Sequence, residues 1–153
     1  MNTPADKRMN HELEGLETHR NLKQGFASEA GTTSRYLYFA RIADIEGSPE
    51  TATIFRELAE SSACNGHGFL DFLKRAGDPE TDLPIGETER NLIAAISAET
   101  REFSEIYPRM KEVAALEGLP DIENWLLTLG KLKKVHTDRL KGALAQFNAL
   151  HEK

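Results

Sequence analysis

The sequence predicts an all-α protein: a four-helix bundle of two antiparallel helix pairs joined by a long crossover connection. Three observations carry that prediction. Only two valines occur in 153 residues, while the strong helix formers Ala, Leu, Glu and Lys are abundant. Apolar residues recur at spacings of three and four, the period of a helix face. Two similar punctuations, "EGSPE" at 46–50 and "EGLPD" at 117–121, each place Gly where a helix stops and Pro where the next one starts.

The first helix is expected over 18–46, with a stripe of Leu22, Phe26, Glu29, Thr33, Tyr36 and Ala40. The second, over 49–75, carries Phe55, Leu58, Ser62, Asn65, Phe69 and Phe72. Residues 76–86 hold two prolines and two glycines and are too long for a tight hairpin, which suits a crossover. The third helix, over 87–117, presents Leu92, Ala95, Glu99, Glu102, Ile106, Met110 and Val113. The fourth, over 120–150, presents Leu129, Lys133, His136, Leu140, Ala143, Phe147 and Leu150. Every stripe is interrupted by polar residues near its middle, where a core would otherwise be apolar.

Length supports one domain that buries roughly two-thirds of its unfolded surface; a polar segment over 1–17 precedes the bundle of 18–153. The polar start has no apolar signal core, and no apolar run approaches the roughly 20 residues of a membrane span. A cytoplasmic protein without membrane insertion is expected. The single cysteine, Cys64, excludes an internal disulfide and any Cys-x-x-Cys knuckle. A net charge of -6 without a basic run speaks against nucleic acid as a partner.

The two punctuations also reveal an internal repeat. Glu46 to Asn65 and Glu117 to His136 are both 19 residues, so Asn65 and His136 are pseudo-equivalent, as are Ser62 and Lys133. Upstream the register slips: Glu29 to Glu46 is 17 residues and Glu99 to Glu117 is 18. The extra residue predicts a π-bulge or kink in the third helix, helped by Pro108.

The stretches "NLKQGFASEAGTTSRYLYFARIADIEG", "IGETERNLIAAISAETREFSEIYP" and "HTDRLKGAL" resemble the diiron domain of rubrerythrins, in the ferritin-like superfamily, over about residues 18–150. Such bundles hold two metals with single carboxylates from two helices and a Glu-x-x-His pair from each of the others. The resemblance makes Glu29 and Glu99 the single carboxylates, Glu102 the additional glutamate of the third helix, and His136 the second histidine. Tyr36 and Tyr107 match the tyrosines beside the site. The family's Glu-x-x-His pairs become Ser62-x-x-Asn65 and Lys133-x-x-His136, so both metal-bridging glutamates and one histidine are replaced.

Charge sets the expectation for cofactors. Glu29, Glu99 and Glu102 against Lys133 leave a charge of -2 with His136 neutral, which one divalent ion would balance and two would exceed. An ammonium cannot coordinate while protonated. The reading is therefore a Glu29/Glu99/Glu102/Lys133/His136 network with no metal or one divalent ion (Fe, Mn or Zn), and no two-iron centre. The competing placement for Lys133 is a snorkel, its stem on the core and its ammonium in water. A binding or accessory protein is favoured over an enzyme; an enzyme here would be an oxidoreductase of the ferritin-like class, by a mononuclear metal or by peroxide reduction. The resemblance further implies a homodimer.

Overall fold

The structure, a computed structural model, describes residues 12–151. Its elements are α1 (Glu17–Ile45), α2 (Pro49–Leu73), α3 (Thr88–Arg101), a π-helical turn (Glu102–Ile106), α4 (Tyr107–Leu116) and α5 (Pro120–His151). All regular elements among the described residues are helical, and each long helix begins and ends within two residues of its sequence expectation. Residues 1–11 of the expected polar N-terminal segment lie outside the described residues. The chain divides into two compact units, one ending at Asp82 and the other beginning at Leu83. No described helix is long and apolar enough to cross a membrane.

In the N-terminal unit α1 packs along α2. The turn between them closes as a Schellman motif: Gly47 takes φ 78°, Ser48 N–H donates to the Ala43 carbonyl at 2.8 Å, and Gly47 N–H to that of Asp44 at 3.1 Å. Pro49 then opens α2, its fixed φ suited to a first turn whose N–H groups lack partners anyway. The seam is made of small residues, Ala40, Ala43, Ala52 and Ala59, which allow close helix approach, and it ends on the fully buried Leu73. A Cβ at Gly25 would collide with the Phe69 ring, so Gly is what lets that ring lie on α1.

The C-terminal unit repeats the plan, with α3, the π turn and α4 packing on α5. Its turn has the same bonds 71 residues later: Gly118 has φ 71°, and Leu119 N–H donates to the Ala114 carbonyl at 2.9 Å. The expected bulge is the π turn. Tyr107 N–H reaches the Glu102 carbonyl five residues back, and Pro108 has no N–H with which to restore the four-residue ladder.

Several residues on the expected stripes are exposed, among them Leu58, Phe72, Met110, Val113 and Leu150. The physical reason is the width of the contact. Within the N-terminal pair the seam is filled by alanines, of which only Ala40 lies on an expected stripe.

Candidate functional site

The polar residues of the C-terminal unit converge. Glu99 closes α3 one turn before Glu102 opens the π turn, so both carboxylates leave the same side of the helix. Lys133 and His136 stand three residues apart on α5 and face them. Lys133 Nζ lies 2.8 Å from Glu102 Oε2 and 3.3 Å from Glu99 Oε1, and His136 Nδ1 lies 3.2 Å from Glu99 Oε2. The side chains of Lys133 and Glu99 are only 22% and 21% exposed, which removes the solvent-facing placement of the lysine.

Burial, the largest influence, works to lower the Lys133 pKa, but the close contact and charge of Glu102 and the charge of Glu99 outweigh it. The ammonium is held above its ordinary value of 10.5. The acceptors are not fully used: Glu99 Oε2 and Glu102 Oε2 are buried without a well-directed hydrogen bond, their partners supplying charge at poor angles. Two carboxylates and one ammonium leave a charge of -1 with His136 neutral. On the flank of this cluster Glu99, His136, Arg139, Leu140 and Ala143 line a cavity of about 360 Å³.

Of the remaining expected positions, Glu29, Tyr36, Ser62 and Asn65 belong to the N-terminal unit and Tyr107 to the C-terminal unit. Glu29 is partly buried on α1, close to where a Cβ on Gly66 of α2 would sit, at 3.8 Å. Ser62 is buried, whereas Asn65, written on the core stripe, is exposed. Tyr36 packs edge-on against Phe55 with ring centroids 5.6 Å apart. Tyr107 lines a separate cavity with Phe103 and Gly130.

Two threonines support the candidate residues: Thr33, on the expected stripe of the first helix, and Thr137, which no stripe includes. The Thr137 hydroxyl, fully buried, donates to the Lys133 carbonyl at 2.9 Å, and Thr33 makes the same bond to the carbonyl of Glu29 at 2.9 Å. Each stands four residues beyond a candidate side chain and ties down its backbone. That spacing was the available signal.

The rubrerythrin family model matches residues 20–144. The chain belongs to the rubrerythrin family. Its all-α architecture is accordingly that of the ferritin-like four-helix bundles. The chain is similar to a rubrerythrin of Porphyromonas gingivalis, 33% identical over 141 residues that make up 90% of this chain and 70% of the relative. Rubrerythrin-1 of Clostridium acetobutylicum is 29% identical, covering 86% and 72%. A rubrerythrin of Nitratidesulfovibrio vulgaris is 30% identical, covering 83% and 69%.

Membership corrects one expectation. The sequence alone leads to no metal or a single divalent ion and to no two-iron centre; the rubrerythrins are diiron proteins, and the family implies iron. Charge balance over Glu29, Glu99, Glu102 and Lys133 counts four side chains only and cannot by itself decide which metals a site takes. The side chains of this structure do not by themselves form the two-metal donor set. Among the described residues no three His, Cys, Asp or Glu side chains are grouped as metal ligands, and the Lys133 ammonium stands between two of the carboxylates.

Proposed function

We propose that this rubrerythrin-family chain acts as a binding or accessory protein rather than as a peroxidase, with the cluster of Glu99, Glu102, Lys133 and His136 as its working centre. One observation supports the reading: an ammonium 2.8 Å from Glu102 and 3.3 Å from Glu99, at the position where the family pattern has a metal-bridging glutamate. A protonated lysine has no lone pair to give a metal and no redox chemistry to give a substrate. Because its pKa is raised, Lys133 keeps its charge at neutral pH. What the cluster offers is recognition: an ammonium, an imidazole and two carboxylates with unused acceptor capacity, beside a cavity that also presents Arg139. A homodimer, which rests on family resemblance alone, belongs to the same reading, as do a role as accessory subunit, suggested by the replaced ligands, and a cytoplasmic setting.

The test loads the purified chain with Fe(II) under anaerobic conditions and measures peroxide turnover against a reduced dye. A parallel sample carries Ser62→Glu, Asn65→His and Lys133→Glu together. The expected result is turnover by the parent no faster than that of free Fe(II), and more bound iron with measurable turnover in the triple variant. Catalytic peroxide reduction by the iron-loaded parent would overturn the reading in favour of a rubrerythrin-type oxidoreductase.

A further inference from the structure

A second cavity, of about 240 Å³, lies within the C-terminal unit beside the π turn. Phe103, Tyr107, Pro108, Leu126 and Leu127 form its apolar walls around Gly130, and Lys111, Lys131 and Lys134 complete the lining. The internal repeat explains why it exists. Moving back 71 residues, Leu126 corresponds to Phe55 and Gly130 to Ala59, so the N-terminal pair carries a larger side chain at both positions. There Phe55 packs against Tyr36 and Phe39 at centroid distances of 5.6 and 5.5 Å, and Ala59 is 1% exposed. The same places in the C-terminal pair are left open, and a Cβ on Gly130 would have nothing within 4 Å.

The three lysines also depart from the repeat. Their counterparts are Ala40, Glu60 and Ala63, so a neutral or acidic place in one half has become basic in the other. Among the described residues none of the three lysines has an ion-pair partner, in a chain of net charge -6. Three unpaired like charges around one apolar cavity raise a local positive potential that an anion would relieve. The volume lies just below the roughly 300–1,000 Å³ common for drug-sized ligands, so the occupant must be small.

We infer that this cavity is a binding site for a small organic carboxylate with a compact apolar body, the body against Phe103, Leu126, Leu127 and Gly130 and the carboxylate among Lys111, Lys131 and Lys134. The site uses none of the charged cluster's side chains and does not depend on the function proposed for it.

Titration calorimetry of the full chain with sodium octanoate and sodium benzoate tests this and tells an aliphatic from an aromatic body. Octylamine and benzylamine serve as probes of the same shape and opposite charge. Saturable binding of one carboxylate at one site is expected, with no comparable binding of either amine. Gly130→Leu, which fills the cavity and raises helix propensity, should weaken that binding by at least about tenfold. Lys131→Gln with Lys134→Gln should weaken it about two- to tenfold while leaving the fold intact, and this variant decides the matter if Gly130→Leu does not fold. The inference falls if neither carboxylate binds, if the amines bind as well, or if the folded variants bind as tightly as the parent.

Discussion

Where the N-terminal pair carries Ser62 on its second helix, the C-terminal pair carries Lys133, and the surroundings differ to match. The N-terminal seam is closed by Ala40, Ala43, Ala52 and Ala59, capped by Leu73 and flanked by the mutually packed rings of Tyr36, Phe39 and Phe55. The C-terminal seam buries Ala94, Ala114 and Thr137, inserts an extra residue between Glu99 and Tyr107, and gives its middle to ions. The comparison teaches a division of labour within one repeat. The first half places apolar atoms where the second places charge and open volume, so packing energy should concentrate in the first and recognition chemistry in the second.

The largest effect that could break this comparison comes from one residue type at one register. Leu73 and Leu144 are pseudo-equivalent, yet Leu73 is 0% exposed and Leu144 only partly buried. Leu73→Ala should cost about 2–5 kcal/mol, the transfer free energy of the lost methyls plus the cavity left behind. Leu144→Ala should cost about half as much, because part of its side chain already meets water. Urea unfolding of the two variants measures both, and equal losses would show that the halves are packed equally well.

A smaller effect isolates the charge. Lys133→Met leaves Glu99 and Glu102 without their ammonium and should cost about 1–3 kcal/mol, between the values for exposed and fully buried pairs because each group keeps some solvent contact. Ser62→Ala, at the matching position, should stay within about 1 kcal/mol. The sign of the pH dependence follows from the lysine. Its folded pKa is raised, so its contribution is fully present below the unfolded value of about 10.4 and is lost only as pH climbs through the folded value. The whole deficit of the Met variant is thus visible at neutral pH. A variant with the parent's stability at every pH would remove the cluster from the account.

What the sequence disclosed depends on how local each signal is. The two turns were legible because a positive-φ Gly followed by Pro needs no tertiary context. The π turn was legible because a one-residue slip between two repeats has to be absorbed within one helix. Contact of Lys133 with Glu99 and Glu102 could be read from helix spacing, since charges on an inward face have few other partners. Asn65 shows the limit: three residues after the buried Ser62, it is turned just far enough to be exposed. A helix wheel cannot say how wide the seam is. The cavity at Gly130 was equally hidden, because it arises from Phe103, Leu126 and Gly130 together and from no single motif.

The smallest effect tests the repeat itself, at the one place where the halves are built alike. Gly47 and Gly118 both sit at φ near 75°, at 78° and 71°, in the same Schellman arrangement, and a Cβ on either would meet nothing within 4 Å. With no packing to confuse the measurement, Gly→Ala at each position should cost only the backbone penalty of a side chain in the left-handed region, about 1 kcal/mol. Asn, which tolerates that region better than Ala, should recover part of the loss at both positions. Matched urea titrations of Gly47→Ala and Gly118→Ala should therefore agree within about 0.5 kcal/mol, even though substitutions a few turns away in the two halves differ severalfold. A cost confined to one of the two turns would mean that the shared hydrogen bonds conceal different strains, and that the halves diverge in their backbone as well as in what they carry.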